Sequence, residues 1–176
     1  ENTSSGYRLA TSVGGAATGD GGDVVLIDDP ASSSDAQSSA MRTSVMEWWD
    51  QTMQTRLNDP KTGAFIIIAQ RLHEQDLCGH ILSQELGNDW DHLMLPARYE
   101  IGHPTPVRSS LGFTDPRTKE GDLLWPDRMD EKTVSNLEQS LGSYAAAGQL
   151  QQRPSPKGGG ILKAEWWVPW ESDDLP

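Results

Sequence analysis

The stretch "VVLIDDP", Val24 to Pro30, sets four apolar residues against two adjacent aspartates and closes them with a proline. A continuous apolar run of this length reads as a strand covered on both faces, as in a parallel sheet between layers of helices, and so points to an α/β fold. Carboxylates are rarely buried without a partner. Asp28 and Asp29 therefore either face solvent where Pro30 ends the strand or hold a metal ion at its tip.

Working outward, "YRLATSV" (Tyr7–Val13) reads as a short strand, and the five glycines between Gly14 and Gly22 form a flexible loop before the apolar run. After Pro30 the serine-rich "ASSSDAQSSA" leads into a helix of about five turns from Met41, capped by Ser34 or Asp35 and stopped at Asn58-Asp59-Pro60. "AFIIIAQ" (Ala64–Gln70) is a second apolar strand, and "RLHEQDLCGHILSQEL" returns to helix. The order strand, helix, strand, helix is that of a βαβ unit. Asp91–Ala97 reads as a further strand, and a proline-rich loop of about 30 residues follows it. Asp130–Leu150 is a helix broken near Gly142, with Val134, Leu137 and Leu141 on one face. "QQRPSPKGGG" is a linker to the aromatic segment "ILKAEWWVPW".

With 176 residues, one domain is expected. A formal charge of −12 and no lysine or arginine cluster exclude a basic nucleic-acid footprint in this chain alone. Mean hydropathy is −0.58, and no apolar run approaches the ~18 residues of a membrane span. Cys78 is the only cysteine, which rules out an internal disulfide and fits a reducing cytosol. The opening residues do not read as a signal peptide.

An apolar strand ending in two acids is also the Walker B pattern of P-loop ATPases, in which one carboxylate holds the Mg²⁺ of Mg-ATP and the other polarises the attacking water. The second strand ends in Gln70, Arg71, His73, Glu74 and Asp76, so polar residues meet at two strand tips. Other chemistries attach to the same residues. Asp23, Asp28 and Asp29 together suggest a metal-dependent nuclease. His73, Glu74, Asp76 and Cys78 suggest zinc, but in no common ligand spacing, and an acid-rich helix start accounts for them. The glycine loop precedes a strand rather than the helix that phosphate-binding loops usually precede. Trp48, Trp49, Trp166, Trp167 and Trp170 lack interleaved basic residues and read as core or interdomain contacts rather than base-stacking platforms. Asp115, Arg117, Glu120 and Asp122 read as a local ion-paired loop or a lid. Asp173 and Asp174 read as solvated tail charges.

Five ordered blocks, "RLATSVGGAATGDGGDVVLIDDP", "IIIAQRLHEQDLCGHIL", "LMLPARYE", "DPRTKEGDLLWPDR" and "AGQLQQRPSPKGGGILKAEWW", together resemble the large subunit of tailed-bacteriophage terminases, the motors that package viral DNA. The resemblance implies a partial P-loop NTPase-type sheet, mostly parallel, lacking the Walker A strand, loop and helix. Residues 1–150 would be the later part of the ATPase domain, and 151–176 the linker toward a nuclease domain. Asp28 matches the Mg²⁺ ligand, and Asp29 stands where a catalytic glutamate is usual. Gln70 and Arg71 fall in the motif that couples the γ-phosphate to motion. The implied cofactors are Mg²⁺ and ATP as substrate. The implied partners are double-stranded DNA, the portal protein, the small terminase subunit and sister subunits in a ring, in the cytoplasm of a bacterial host and away from membrane. Two departures stand out. No Gly-Lys-Ser/Thr sequence occurs in the chain, so no phosphate cradle is present and the chain alone is expected not to turn over ATP. No arginine lies in the loop before the aspartates, so Arg71, Arg56 or another chain would complete a neighbour's site. The alternative is a non-catalytic remnant or assembly module that docks on the same partners.

Overall fold

The computed structural model describes residues 6–15, 19–84, 89–104 and 107–155. Their contacts divide the chain into two units between Asp91 and His92.

In the first unit, β1 (Val24–Asp28) pairs in parallel with β2 (Ala64–Ile68), in the register Leu26 opposite Ile66 and Asp28 opposite Ile68. Parallel neighbours need a crossover, and here it is helical: α1 (Ser33–Gln37), α2 (Ser39–Gln51) and a 3₁₀ turn at Met53–Thr55. The expected long helix is thus two helices, capped by Ser32 and Ser38 rather than by Ser34 or Asp35. Ser32 wins because an acid lies three residues on: its hydroxyl accepts from Asp35 N while the Asp35 carboxylate accepts from Ser32 N, a reciprocal capping box. The α-helix stops at Gln51, before Asn58-Asp59-Pro60. There Met53 turns into the core, and the Thr52 carbonyl accepts from Arg56 Nε and Thr55 Oγ1. The chain then passes alongside Gly22, and a turn at Asp59–Gly63 starts β2. Gly63 is required there, since a Cβ would lie 2.8 Å from the Asp59 carbonyl.

Strand alternation sends Val25, Ile27, Phe65 and Ile67 to one face, where Val45 and Trp49 of α2 and Leu77 and Ile81 of α3 (Leu77–Ser83) cover them. Trp49 meets Phe65 edge-on at 5.1 Å and Trp90 at 5.9 Å. The other face is a correction to the expectation of two-sided cover. Val24, Leu26, Ile66 and Ile68 remain 45–58% exposed, and among the described residues nothing packs over them. Tyr7–Val13 forms no strand, though Val13 packs against the core. α3 begins at Leu77, later than expected, because Arg71–Gln75 wraps around its cap, Asp76.

The expected strand Asp91–Ala97 forms no ladder: one isolated bridge falls within it, at His92, and another just beyond it, at Arg98. His92 pairs with Arg108 and Arg98 with Leu123, both antiparallel, and Pro96 between them has no N–H to continue a ladder. α4 (Glu131–Gln149), capped by Asp130, is broken at Gly142 (φ 73°, ψ 164°), a conformation essentially confined to glycine. Arg98 fastens this helix to the preceding loop, with its guanidinium on Glu131, Ser135 and Glu138 at 2.7–3.2 Å. Of the expected apolar face, Val134 is buried while Leu137 stays 36% exposed. Arg117 organises the proline-rich loop by pairing with Asp115 at 2.6 Å, donating to the Pro96 and Asp122 carbonyls and lying over the Tyr99 ring. Most of the linker, with Trp166, Trp167, Trp170, Asp173 and Asp174, lies outside the described residues, as does part of the glycine loop. No described helix is long and apolar enough to cross a membrane.

Candidate functional site at the two strand tips

Parallel pairing in register brings the C-terminal ends of β1 and β2 to the same rim, where ligands of open α/β sheets bind. Asp28, the last residue of β1, belongs to the uncovered face and is exposed. Asp29 breaks the alternation. Its φ of 41° is left-handed, a region aspartate tolerates better than most residues. Two bonds hold it: its N–H donates to the Ile68 carbonyl at 2.9 Å, and Oδ1 accepts from Gln70 N at 3.3 Å. The two aspartates therefore diverge, and the second is tied to the tip of the neighbouring strand.

Gln70 thus reaches the site through its backbone, while its side chain is exposed. Arg71 is paired with Asp76. Its Nε donates to both oxygens of Asp76 at 3.0 Å, and the two side chains are 11% and 12% exposed. Asp76 also accepts from the Leu72, His73 and Gly79 amides, so one carboxylate pins the post-strand loop and starts α3. Only glycine fits at 79, where a Cβ would run into the Glu74 carbonyl.

Between the rim and the helices lies a small recess, partly open to solvent and with room for little more than a water molecule, lined by Asp29, Gln70, Arg42, Asp76 and Cys78 with mostly apolar neighbours. Burial, then the nearby Asp76 charge, pushes the Cys78 thiol up to about 11, so it is a packing residue rather than a nucleophile. Burial and then the charge of Arg42 hold His73 below the ordinary histidine value. The sequence reading overlooked Arg42. Its position in the first turn of α2, one crossover away from the strand tips, carries no local motif.

No family model matches the chain, and no curated protein matches it. The chemistry of the rim therefore stands on its geometry. Among the described residues no three His, Cys, Asp or Glu side chains converge on one point, as zinc would need. Asp23 sits at the opposite end of β1 from Asp28, about 16 Å away at strand rise, and its carboxylate accepts from Asn58 Nδ2. The three-aspartate nuclease site is thereby broken apart. Magnesium asks for less, commonly one or two carboxylates with phosphate and water completing its shell. The solvent-open carboxylate of Asp28 fits that role.

Proposed function

We propose that this chain is the later half of a P-loop-type ATPase domain from a viral DNA-packaging motor of the terminase large-subunit kind. The observation that carries the reading is the register of β1 and β2. It sets Asp28-Asp29 beside Gln70, with Asp29 hydrogen-bonded across the gap, which is the arrangement a Walker B strand and an adjacent coupling strand require. The uncovered face of Val24, Leu26, Ile66 and Ile68 supports it as well, because parallel sheets are ordinarily covered on both sides.

In this reading Asp28 would hold the Mg²⁺ of Mg-ATP, which would supply charge neutralisation of the phosphates. Asp29 orients and polarises the attacking water, and its bond to Gln70 N passes the state of that carboxylate to the loop that Asp76 fixes. Arg71, held by Asp76, acts there as a positioning residue. Coupled to double-stranded DNA, portal, small subunit and sister subunits in a host cytoplasm, such a domain would drive translocation. Because no Gly-Lys-Ser/Thr loop is present, the same fact favours a second reading, an assembly module that docks on those partners without turnover.

The test compares Mg-ATP binding and hydrolysis by this chain with those of a protein extended upstream through a phosphate loop. Turnover by the longer protein alone is the expected result. Absence of nucleotide binding in both would remove the ATPase reading and leave the docking one.

A further inference from the structure

We infer that Arg42 is the residue of this unit that contacts a phosphoryl-type oxyanion brought to the strand tips. For a nucleotide, that group would be the terminal phosphate. The nucleotide identity rests on the ATPase reading, whereas the anion site does not.

The first unit holds four arginines; Arg8 is exposed ahead of the glycine loop and does not line the recess, and the structure separates the other three. Arg56 lies at the wrong end of the sheet, since its carbonyl accepts from Gly22 N before β1 begins, and its guanidinium is spent on the Thr52 carbonyl and Thr55 Oγ1. Arg71 is neutralised by Asp76. Arg42 lines the recess together with Asp29 and Gln70, and it pairs with no described carboxylate. Its Nη1 donates to the Ala36 carbonyl at 2.7 Å, which aims the group at the corner between α1 and α2. Nε is buried and bonds to nothing. A buried cationic donor left without a partner is costly, and guanidinium is the side chain best matched to phosphate oxygens. Arg42 as a whole is only half-buried, at a recess partly open to solvent beside Asp29, so an anion at the mouth of that recess can approach the side chain. The charge is felt there, because after burial it is one of the causes that lower His73 from the ordinary histidine value.

The direct probe is the ¹⁵Nε–¹Hε resonance of Arg42 in the full 176-residue chain, assigned by its loss in Arg42→Lys and titrated with inorganic phosphate against chloride at matched ionic strength. The expected result is a saturable shift of Arg42 alone, with Arg71 unmoved. Arg42→Gln should weaken phosphate binding about tenfold, the loss of one charge-assisted contact. Arg42→Lys should retain part of it, and a circular-dichroism check should show both variants folded. If Arg42→Gln fails to fold, the wild-type titration still decides. No saturable shift, equal shifts at every arginine, or protection of Nε by bridging water alone would overturn the inference. A phosphate shift without ATP turnover in the extended protein keeps the anion site and removes the nucleotide. Turnover unaffected by Arg42→Gln keeps the ATPase and removes Arg42.

Discussion

Replacing Asp76 by alanine should unfold the strand-tip loop and α3 together. The carboxylate caps α3 through Gly79 N at 2.8 Å, a contribution of about 1 kcal/mol. It also balances Arg71, and both side chains are close to nine-tenths buried; stranding one member of such a pair costs about 3–5 kcal/mol. Arg71 keeps a weaker bond to the Glu74 carbonyl at 3.4 Å, and the amides of Leu72 and His73 also lose an acceptor. The lower end of that range is therefore expected, about 3–4 kcal/mol in all. In urea unfolding followed by tryptophan fluorescence, this moves the midpoint down by about 2 M at a typical slope. Asp76→Asn keeps an acceptor for the cap and should lose less. Arg71→Met combined with Asp76→Ala should cost less than the sum of the two single changes, because the stranded charge is gone. A loss of only about 1 kcal/mol for Asp76→Ala, the worth of a cap alone, would refute the buried-pair argument.

Trp49→Ala removes the ring that α2 sets against Phe65 and Trp90 and should cost about 3–5 kcal/mol by the same urea assay. Cys78, with its thiol pushed to about 11, should react with iodoacetamide at pH 8 about a hundredfold more slowly than an unperturbed thiol, a ratio set by thiolate fraction; mass spectrometry of the labelled chain reads it. The hydrogen bonds from Arg117 hold Asp115 below the ordinary aspartate value. A depressed carboxylate contributes stability above its unfolded value and loses it as pH falls through the folded one. Asp115→Asn should thus be less stable than the wild type at neutral pH, and the two should converge as pH falls below the ordinary aspartate value in thermal melts taken across the acid range.

The sequence made the crossover unit legible because β1 and β2 are written in β-branched runs that nothing local contradicts, and Gly142 marked the break in α4. Other elements depended on side-chain competition that a pattern does not display. Ser32 outdoes its serine neighbours only through Asp35, and α3 is shortened because Asp76 draws the preceding amides to itself. Asp91–Ala97 looked like a strand by composition, yet Pro96 interrupts it and only an isolated bridge at His92 falls within it. The site was half visible. Asp28 and Asp29 end β1 as expected but diverge, and of the two only Asp29 meets Gln70, through the Gln70 backbone amide. The arrest of Arg71 by Asp76, and an Arg42 guanidinium bonded to the Ala36 carbonyl but to no described carboxylate, are facts of packing that only the fold exposes. Apolar composition on both faces of β1 implied cover on both, and the described residues supply it on one.

The most direct measurement is steady-state Mg-ATP hydrolysis by the upstream-extended protein with Asp28 intact and with Asp28→Asn, beside a thermal melt of each. A Walker B carboxylate predicts turnover falling to background with the melt unchanged, since Asp28 is exposed at a strand tip and carries little of the core. Turnover that survives Asp28→Asn would contradict the account and return "VVLIDDP" to a strand that simply ends in a turn.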